Sequence, residues 1–391
     1  MNAPGICMIT DYFFPEIGGV QVYTLELARG LRRAGLPVCI ITRRIPGTAP
    51  REELDGIAVY RLGARAGAGK AEAALVFVVK ALLLLRRLRR NFPIVHCHKV
   101  ISPTTVGLLS RRLFGTRLLV QPHSTSVDGA LANLMYHRGR LGRLRLAWIR
   151  RATQHFAVIS RQVERDLQSI DIPPARISFI PNGVDTARFT PLDSAAKQEA
   201  RHALGLPTGP LVVFCGRLTQ VKNLPLLLRA WALTAARQPE ATLVLLGDGE
   251  ERAVLTALRA ELGLEARVHF AGAQVDVRPW LQCADVFVLP SKSEAMPVAL
   301  LEAMACGLAC VASAVGGVLD IITPEHNGLL VEVGDLAGLD QAFARLLAEP
   351  ALRDTLGRQA RADIEQRYSL DAVAQRFVAL YRAMLAPAGA G

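Results

Sequence analysis

The sequence of 391 residues has no long apolar run, no paired-cysteine motif and few aromatic side chains. Its longest apolar stretch, residues 73–85, is interrupted by Lys80 and falls short of the ~18 residues that span a bilayer. Residues 1–5 carry no basic cluster, and the apolar segment that follows, residues 6–10, is too short for the core of a secretory signal. We therefore expect a cytoplasmic protein, whose membrane contact, if it has one, is peripheral and on the inner face of the cell membrane.

The seven cysteines show no CxxC spacing, which argues against a disulfide framework or a zinc ribbon and favours small buried thiols. His96 and His98 flank Cys97 in a predicted strand, where residues i and i+2 share a face. Zinc needs three or four ligands, and the sequence offers no evident third. We interpret the two histidines as buried and hydrogen-bonded, and we predict no metal.

Acidic side chains are scarce in the first half of the chain. Residues 1–185 contain 27 basic and 12 acidic side chains, whereas residues 186–391 contain 19 and 22. The net charge of +12 therefore comes entirely from the first half, and such a field attracts anionic lipid, phosphorylated substrates or nucleic acid. Zinc-finger spacing, an RNA-recognition signature and interleaved aromatic residues are all missing, so we expect no nucleic-acid partner.

Short β-rich runs alternate with helical patterns along both halves of the chain, which predicts the α/β class with parallel sheets covered by helices. Residues 186–210 are rich in small, polar and proline residues and interrupt the alternation. We predict two doubly wound, Rossmann-like domains, residues 1–185 and 186–370, that face each other across a cleft. We expect the C-terminal helix and tail, residues 371–391, to pack back on the N-terminal domain.

A glycine pair follows the first predicted strand. Gly18 and Gly19 precede a helix, where glycine permits close backbone approach and the helix start offers unpaired N–H groups. A phosphate or a sugar hydroxyl would suit that place, although a plain tight turn is equally consistent with it. The spacing is not the GxGxxG fingerprint, which disfavours an NAD enzyme.

Two basic residues follow the predicted strand at residues 211–215. Arg217 lies at its carboxyl end and Lys222 near the start of the next helix, so both would point into the crevice. A guanidinium and an ammonium group there could neutralise a diphosphate without a metal. The alternative is a pair of solvated side chains at the ends of elements.

Two glutamates mark the most informative segment. Glu294 precedes a predicted helix with Pro297 in its first turn, and Glu302 lies inside that helix between Leu301 and Ala303. A carboxylate among apolar neighbours is costly unless it faces a polar cavity or a partner. Glu302 could accept hydrogen bonds from a ribose, and Glu294 could bind a sugar. Spacing alone favours a helix-dipole role for Glu294 and a surface position for Glu302.

Four segments in this order, residues 18–20, 181–185, 216–223 and 294–302, together resemble the retaining glycosyltransferases of family 4, which have the GT-B fold. The resemblance extends from residue 5 to about residue 368. Within the family, residues 11–20 are most similar to enzymes with lipid-linked acceptors, such as phosphatidylinositol glycosyltransferases. The resemblance implies an acceptor-binding N-terminal domain and a donor-binding C-terminal domain.

The resemblance also implies roles for individual residues. Arg217 and Lys222 match the pair that binds the donor diphosphate, and Glu302 matches the glutamate that binds the ribose. Glu294 and the backbone of residues 296–298 match the contact to the donor sugar. The implied donor-binding residues are Gly18, Gly19, Arg217, Lys222, Glu294, Met296, Pro297, Val298 and Glu302, and the implied catalytic residues are His123, Arg217, Lys222 and Glu294.

The implied reaction moves a hexosyl unit from a UDP- or GDP-linked sugar to a hydroxyl acceptor, with retention and with no metal or other cofactor. The expected acceptor is a glycolipid or a surface-polysaccharide precursor. Ala295 and Met296 replace the usual Gly-Phe after the first glutamate, which leaves the donor sugar open. We expect a front-face reaction in which Arg217 and Lys222 stabilise the charge that grows on the leaving diphosphate.

Two basic segments predict contact with an anionic membrane. Residues 131–151 carry six arginines and no acid among apolar residues, and residues 72–90 end in four arginines. A basic amphipathic element can lie on an anionic bilayer, although ordinary helices with basic outer faces would give the same pattern.

Alternative functions account for fewer of these sequence features. A soluble disaccharide or glycoside synthase of the same fold would use the same donor residues, whereas an epimerase would not need the full set. A non-catalytic protein that binds anionic surfaces would explain the charge of the first half only.

Overall fold

The computed structural model describes residues 3–16, 18–63, 69–100, 102–123 and 139–386. Two compact units are present, one comprising Met1–Gly183 with Leu370–Gly391 and the other comprising Val184–Ser369. We call them unit 1 and unit 2. The boundary between them lies two residues before the predicted one, and the C-terminal helix belongs to unit 1.

Unit 1 contains, within the described residues, one sheet of eight strands. The strands are β1 (Ile6–Thr10), β2 (Val38–Arg43), β3 (Arg51–Leu54), β4 (Ile57–Leu62), β5 (Ile94–His98), β6 (Arg117–Gln121), β7 (His155–Val158) and β8 (Ile177–Phe179). Their order is β3-β4-β2-β1-β5-β6-β7-β8, and only the β3–β4 pair is antiparallel. The central strands β1 and β5 are buried along their whole length, as in parallel sheets with covered faces.

The helices of unit 1 that lie between these strands connect them. They are α1 (Gly19–Arg33), α2 (Lys70–Leu88), α3 (Ser102–Phe114), α4 (Gly139–Ala152) and α5 (Arg161–Gln168), with a 3-10 turn at Pro174–Arg176. Helix α1 buries Tyr23, Leu27 and Leu31, which lie one turn apart along one face. Its end is marked by Gly35, whose φ of +83° is a left-handed conformation that glycine adopts without strain.

Unit 2 contains, in the part of the chain described, a second sheet, in which every pair is parallel. Its strands are β9 (Leu211–Cys215), β10 (Thr242–Leu246), β11 (Val268–Gly272), β12 (Val286–Leu289), β13 (Ala309–Ser313) and β14 (Leu329–Val331), in the order β11-β10-β9-β12-β13-β14. The helices are α6 (Ser194–Ala203), α7 (Leu224–Arg237), α8 (Arg252–Glu261), α9 (Arg278–Cys283), α10 (Val298–Ala305), α11 (Val318–Ile321), α12 (Leu336–Ala348) and α13 (Pro350–Arg367).

The last helix, α14 (Leu370–Leu385), packs against α1 of unit 1. The contact is close at Gly30, where a Cβ atom would lie 3.1 Å from Cγ of Leu370. Arg33 of α1 donates to Asp371 of α14 at 2.9 Å. Residues 387–391 of the predicted tail lie outside the described residues.

Residues 186–210, which interrupt the alternating pattern of the sequence, contain a helix that the sequence analysis did not predict. The segment contains α6, whose N-terminus is capped by Asp193 accepting a hydrogen bond from the backbone of Ala196 at 2.9 Å. Arg201 of α6 is buried, donating to Asp285 at 2.7 Å and to the carbonyl of Cys283 at 2.8 Å. The helix is therefore part of the folded unit.

All seven cysteines are free thiols, and all but Cys215 are buried. Burial raises the pKa of Cys283 to about 11, which keeps this thiol protonated at neutral pH. Within the described residues, none of the helices combines the length and the apolar character that crossing a bilayer requires.

Candidate functional site

The carboxyl edge of the unit 2 sheet carries most of the predicted site residues. The chain starts in the middle of this sheet at β9, adds β10 and β11 on one side, and then crosses to β12 on the other. The crevice where the strand order reverses is the usual ligand-binding place of such sheets. Arg217 and Lys222 follow β9, and Glu294 follows β12, so the sheet order brings them to this point.

Lys222 and Glu294 are in direct contact. Nζ of Lys222 donates to Oε1 of Glu294 at 2.5 Å, and Oγ of Ser291 donates to the same oxygen at 2.6 Å. Glu294 is only 9% exposed, so its carboxylate has lost most of its water and depends on these two donors. Ser291 has no place in the sequence prediction, although its position three residues before Glu294 offered a signal.

A glycine pair after β13 holds the backbone of the Glu294 loop. The backbone N–H of Gly317 donates to the carbonyl of Glu294 at 3.0 Å. Gly316 has a φ of +45°, and a Cβ atom there would lie 1.9 Å from the same carbonyl oxygen. A Cβ atom on Gly317 would lie 2.0 Å from the carbonyl oxygen of Ala295. Only glycines permit this approach, and sequence reasoning missed both of them.

The loop after β9 is fixed by its neighbours on both sides. The backbone N–H of Leu218 donates to the carbonyl of Asp248 at 3.0 Å, and a Cβ atom on Gly247 would lie 1.9 Å from the carbonyl oxygen of Gly216. The N–H of Lys292 donates to the carbonyl of Val221 at 2.8 Å, which ties the β9 loop to the β12 loop. These contacts hold the backbone of Arg217, whose side chain is exposed.

Lys222 lies two residues before α7, near the start of that helix, whereas Pro297 differs from its predicted place in the first turn of α10. Lys222 ends a separate 3-10 turn, Gln220–Lys222, and Asn223 adopts a left-handed conformation with φ of +55° before α7 begins. Pro297 is the N-cap of α10 rather than part of its first turn, and its extended backbone lets the helix begin at Val298. Met296, the residue before it, is buried.

Glu302 lies in α10, whose other residues are all apolar. It is only 8% exposed, so the interpretation as a surface residue is wrong. Burial, and then the charge of Glu302, raise the pKa of Cys215 at the end of β9. Burial and the same charge raise the pKa of Cys306 to about 12. The charge of Glu302 therefore acts both on Cys215 at the end of β9 and on Cys306 at the end of α10.

Gly18 and Gly19 lie at the carboxyl edge of the unit 1 sheet, between β1 and α1. Gly18 is the N-cap of α1 and, as a glycine, supplies no side-chain cap for the first N–H groups. A Cβ atom on Gly19 would meet no atom within 4 Å, so the chain itself does not require glycine there. Asp11, which follows β1, accepts from Arg43 at 3.3 Å.

His123 follows β6 and lies beside the two histidines of β5. Its Nε2 atom is 3.1 Å from Nδ1 of His98, and Nδ1 of His96 is 2.8 Å from the hydroxyl of Tyr381. His96 and His98 are fully buried, as predicted. In the described part of the chain, no group of three or more His, Cys, Asp or Glu side chains is arranged to hold a metal ion.

Lys99 is a further residue at this edge that sequence reasoning missed. It follows β5 with a φ of +111°, a strained conformation for a side chain with a Cβ atom. Its backbone N–H donates to the carbonyl of Gln121 at 3.1 Å, and its ammonium lies 5.9 Å from the ring centre of Tyr12. No pattern in the sequence announces this conformation.

Comparison with known proteins decides the family. The model of Glycosyltransferase Family 4 matches residues 17–188, and the model of Glycosyl transferases group 1 matches residues 196–363. A D-inositol 3-phosphate glycosyltransferase from Salinispora arenicola is 31% identical over 374 residues, covering 88% of this chain and 83% of the relative. The chain belongs to glycosyltransferase family 4.

Solved structures agree with the fold that the resemblance implied for this glycosyltransferase. A sucrose-phosphate synthase from Thermosynechococcus elongatus is 27% identical with a TM-score of 0.81, covering 97% of this chain and 99% of that one. HepE from Anabaena, solved with UDP and glucose, is 18% identical with a TM-score of 0.81, covering 97% and 100%. The predicted GT-B fold, with two parallel-sheet α/β domains, is confirmed.

The structure of the glycosyltransferase brings some predicted residues together and leaves others in separate units. Unit 2 holds the basic pair, both glutamates and the turn into α10 at one carboxyl edge. Unit 1 holds the glycine pair and His123 at the carboxyl edge of its own sheet. Each unit thus presents its predicted residues at the edge where doubly wound sheets bind ligands.

Proposed function

We propose that this glycosyltransferase moves a hexosyl unit from a UDP- or GDP-linked sugar to a hydroxyl group, with retention of configuration and without a metal or other cofactor. The contact of Lys222 with the buried Glu294, at the point where the strand order of unit 2 reverses, carries the proposal. The contact places a cation, which suits the diphosphate of a sugar nucleotide, beside a carboxylate, which suits the hydroxyls of its sugar.

The donor would be bound along this edge. Arg217 and Lys222 bind the diphosphate, and Glu302 accepts hydrogen bonds from the ribose. Glu294, with the backbone of residues 296–298, binds the hydroxyls of the transferred sugar. HepE, which has the same fold, is solved with UDP and with UDP-glucose, and this supports a nucleotide sugar as the donor here.

The proposed mechanism follows from where charge develops during the transfer. As the glycosidic bond breaks, the sugar becomes cationic and the diphosphate gains negative charge, which Lys222 and Arg217 are placed to stabilise. Oε1 of Glu294 already accepts two hydrogen bonds, one of them from a cation, so this oxygen is a poor covalent nucleophile. A front-face reaction in which the leaving diphosphate takes the acceptor proton therefore suits this site better than a glycosyl-enzyme.

The retention of configuration is tested by NMR spectroscopy of the product. Hexoses linked to UDP and to GDP are incubated with the protein in EDTA, together with a lipid extract or a phosphorylated polyol as acceptor. We expect release of one nucleoside diphosphate and an α-linked product from an α-linked donor. A β-linked product would contradict retention, and turnover that requires Mg²⁺ would contradict the metal-free reaction.

The acceptor proposed first is a lipid-linked or glycan precursor. The names of two comparison proteins support a second candidate, a soluble phosphorylated acceptor, since one is a D-inositol 3-phosphate glycosyltransferase and another a sucrose-phosphate synthase. The same experiment with an isotopically labelled donor sugar separates a lipid-linked acceptor from a soluble phosphorylated one, because the label then appears in the organic phase or in the aqueous phase of an extraction.

We also propose that unit 1 binds an anionic membrane surface through an arginine-rich end of α2 and α3. Arg86, Arg87 and Arg90 are exposed, as are Leu83 at 56% and Leu113 at 58%. Arg89 lies over the ring of Phe114 at 5.7 Å, which joins the two helix ends into one surface. Exposed leucines among exposed arginines are typical of contact with anionic lipid. Residues 131–138 of the other predicted segment lie outside the described residues.

Flotation with liposomes tests this surface. Each arginine near an anionic bilayer contributes about 1 kcal/mol, so changing Arg86, Arg87 and Arg90 to Gln should weaken binding by roughly 100-fold. The matched control changes three exposed arginines of unit 2, Arg229, Arg358 and Arg367, to Gln. Equal loss in both variants would indicate a non-specific charge effect, and equal binding to neutral liposomes would contradict the proposal.

A further inference from the structure

Three histidine rings lie in a row within unit 1, and the family resemblance implies a catalytic role for only one of them, His123. The ring centres of His96 and His98 are 4.2 Å apart, and those of His98 and His123 are 5.3 Å apart. Strands β5 and β6 place His98 opposite Gln121, so His123, two residues further along, lies next to it. His98 is fully buried and stands between the core and the candidate catalytic residue.

His98 and His123 share one proton along a hydrogen bond. Nδ1 of His98 is 3.1 Å from Nε2 of His123. Burial lowers the pKa of His98 to about 3 and also lowers that of His123, where the charge of His98 adds to the effect. Both rings are therefore neutral at pH 7, and only one of the two facing nitrogens carries a proton. Which of these two facing nitrogens carries the proton determines which nitrogen of His123 is protonated.

The surroundings of His98 favour one of the two arrangements. Its other nitrogen, Nε2, is buried and has no hydrogen-bond partner among the described residues. If His123 were the donor, the proton of His98 would sit on this Nε2 atom as a buried N–H without an acceptor. If His98 is the donor, Nε2 is only an unpaired acceptor, which proteins tolerate more readily than an unpaired donor.

We propose that His98 is a positioning residue that donates from Nδ1 to Nε2 of His123 and so holds His123 in the tautomer with its proton on Nδ1. His123 then offers an N–H donor to an oxygen of its ligand, and it does not act as a base. That the ligand oxygen belongs to the sugar rests on the proposed function. The tautomer of His123 does not rest on it.

The neighbours of the pair keep its geometry. The ring of Tyr23 lies 5.1 Å from that of His123 and 6.0 Å from that of His98. The hydroxyl of Tyr381 binds His96 on the far side of the row. His98 therefore has little room to rotate away from His123.

Nitrogen NMR of protein labelled with 15N-histidine tests the tautomer directly. The signals of His123 are assigned by their loss in His123→Gln. We expect Nδ1 protonated and Nε2 unprotonated in the wild-type protein, and a shift to the Nε2–H form in His98→Leu. His96→Leu is the matched control, since it removes a buried imidazole from the same strand without touching the bond to His123. An Nε2–H form in the wild-type protein, or an unchanged tautomer in His98→Leu, would overturn the proposal.

Two further measurements distinguish a positioning role of His98 from a merely structural one. His98→Asn keeps an amide that can donate from the place of Nδ1, so it should restore the wild-type tautomer, and its spectrum serves if His98→Leu does not fold. In transfer assays, His98→Leu should lower kcat about tenfold, the size of one buried hydrogen bond, with little change in donor KM, and His98→Asn should recover most of it. Equal losses in His96→Leu and His98→Leu would contradict positioning. Absence of transfer by the wild-type protein would count against the proposed function and leave the NMR result to decide on His98.

Discussion

Lys222→Ala and Arg217→Ala are each expected to lower the rate of glycosyl transfer about 100- to 1000-fold, the usual cost of removing one group that stabilises transition-state charge. Lys222 has the better-defined position, because its ammonium is held against Glu294 at 2.5 Å. Steady-state assays with a saturating donor measure the effect, and a loss in kcat larger than the rise in KM would show that the charge acts in the transition state.

Matched controls exist in the same unit. Lys292→Ala removes an exposed lysine from the β12 loop, and Arg229→Ala removes an exposed arginine from α7. Both should transfer sugar at the wild-type rate. Wild-type rates in Lys222→Ala and Arg217→Ala, with the melting temperatures unchanged, would show that the diphosphate is bound elsewhere.

Gly316→Ala is expected to lower transfer roughly 100-fold, because a displacement of about 1 Å at a reacting group can have that effect. A Cβ atom at this position would overlap the carbonyl oxygen of Glu294 at 1.9 Å, so the backbone that carries Glu294 must move. The effect should appear in kcat and in donor KM together, since the proposed function has Glu294 bind the sugar both in the donor complex and in the transition state.

The variant Gly334→Ala is the control that distinguishes the effect of this atomic overlap from the effect of backbone strain. Gly334 also has a positive φ, +84°, but a Cβ atom there would meet nothing within 4 Å. Both variants bear the strain of a left-handed alanine, about 1 kcal/mol, and should lose similar thermal stability from it. Only Gly316→Ala should lose activity. Equal activity in the two variants would mean that the position of Glu294 does not matter for transfer.

The sequence predicted the strands of unit 2 well because they are continuous apolar runs between turn residues. Strand β9 has the bounds that the sequence predicts, residues 211–215. Strand β3, with the sequence REEL, was missed because a charged edge strand lacks the apolar pattern and forms only by pairing with β4. Helix α5 was missed because its eight residues give too short a periodic signal.

The site was only partly predictable, because some of its residues lie within local sequence patterns and others depend on contacts made in the fold. Arg217, Lys222, Glu294 and Glu302 were found by spacing and resemblance, since each lies within a local pattern. Gly316 and Gly317 act through contacts between loops, and the burial of Glu302 depends on how α10 packs. The shared proton of His98 and His123 depends on the register of β5 with β6. Such contacts require the folded structure.

The central claim, a metal-independent nucleotide-sugar site on unit 2, is tested most directly by thermal unfolding in EDTA with UDP, GDP, ADP and NAD. A ligand at about 100 times its Kd adds about 2.7 kcal/mol of stability, which raises the melting temperature by several degrees. We predict that UDP or GDP alone stabilises the wild-type protein and that Lys222→Ala loses the shift. Stabilisation by none of the four nucleotides, or an equal shift in Lys222→Ala, would contradict the claim.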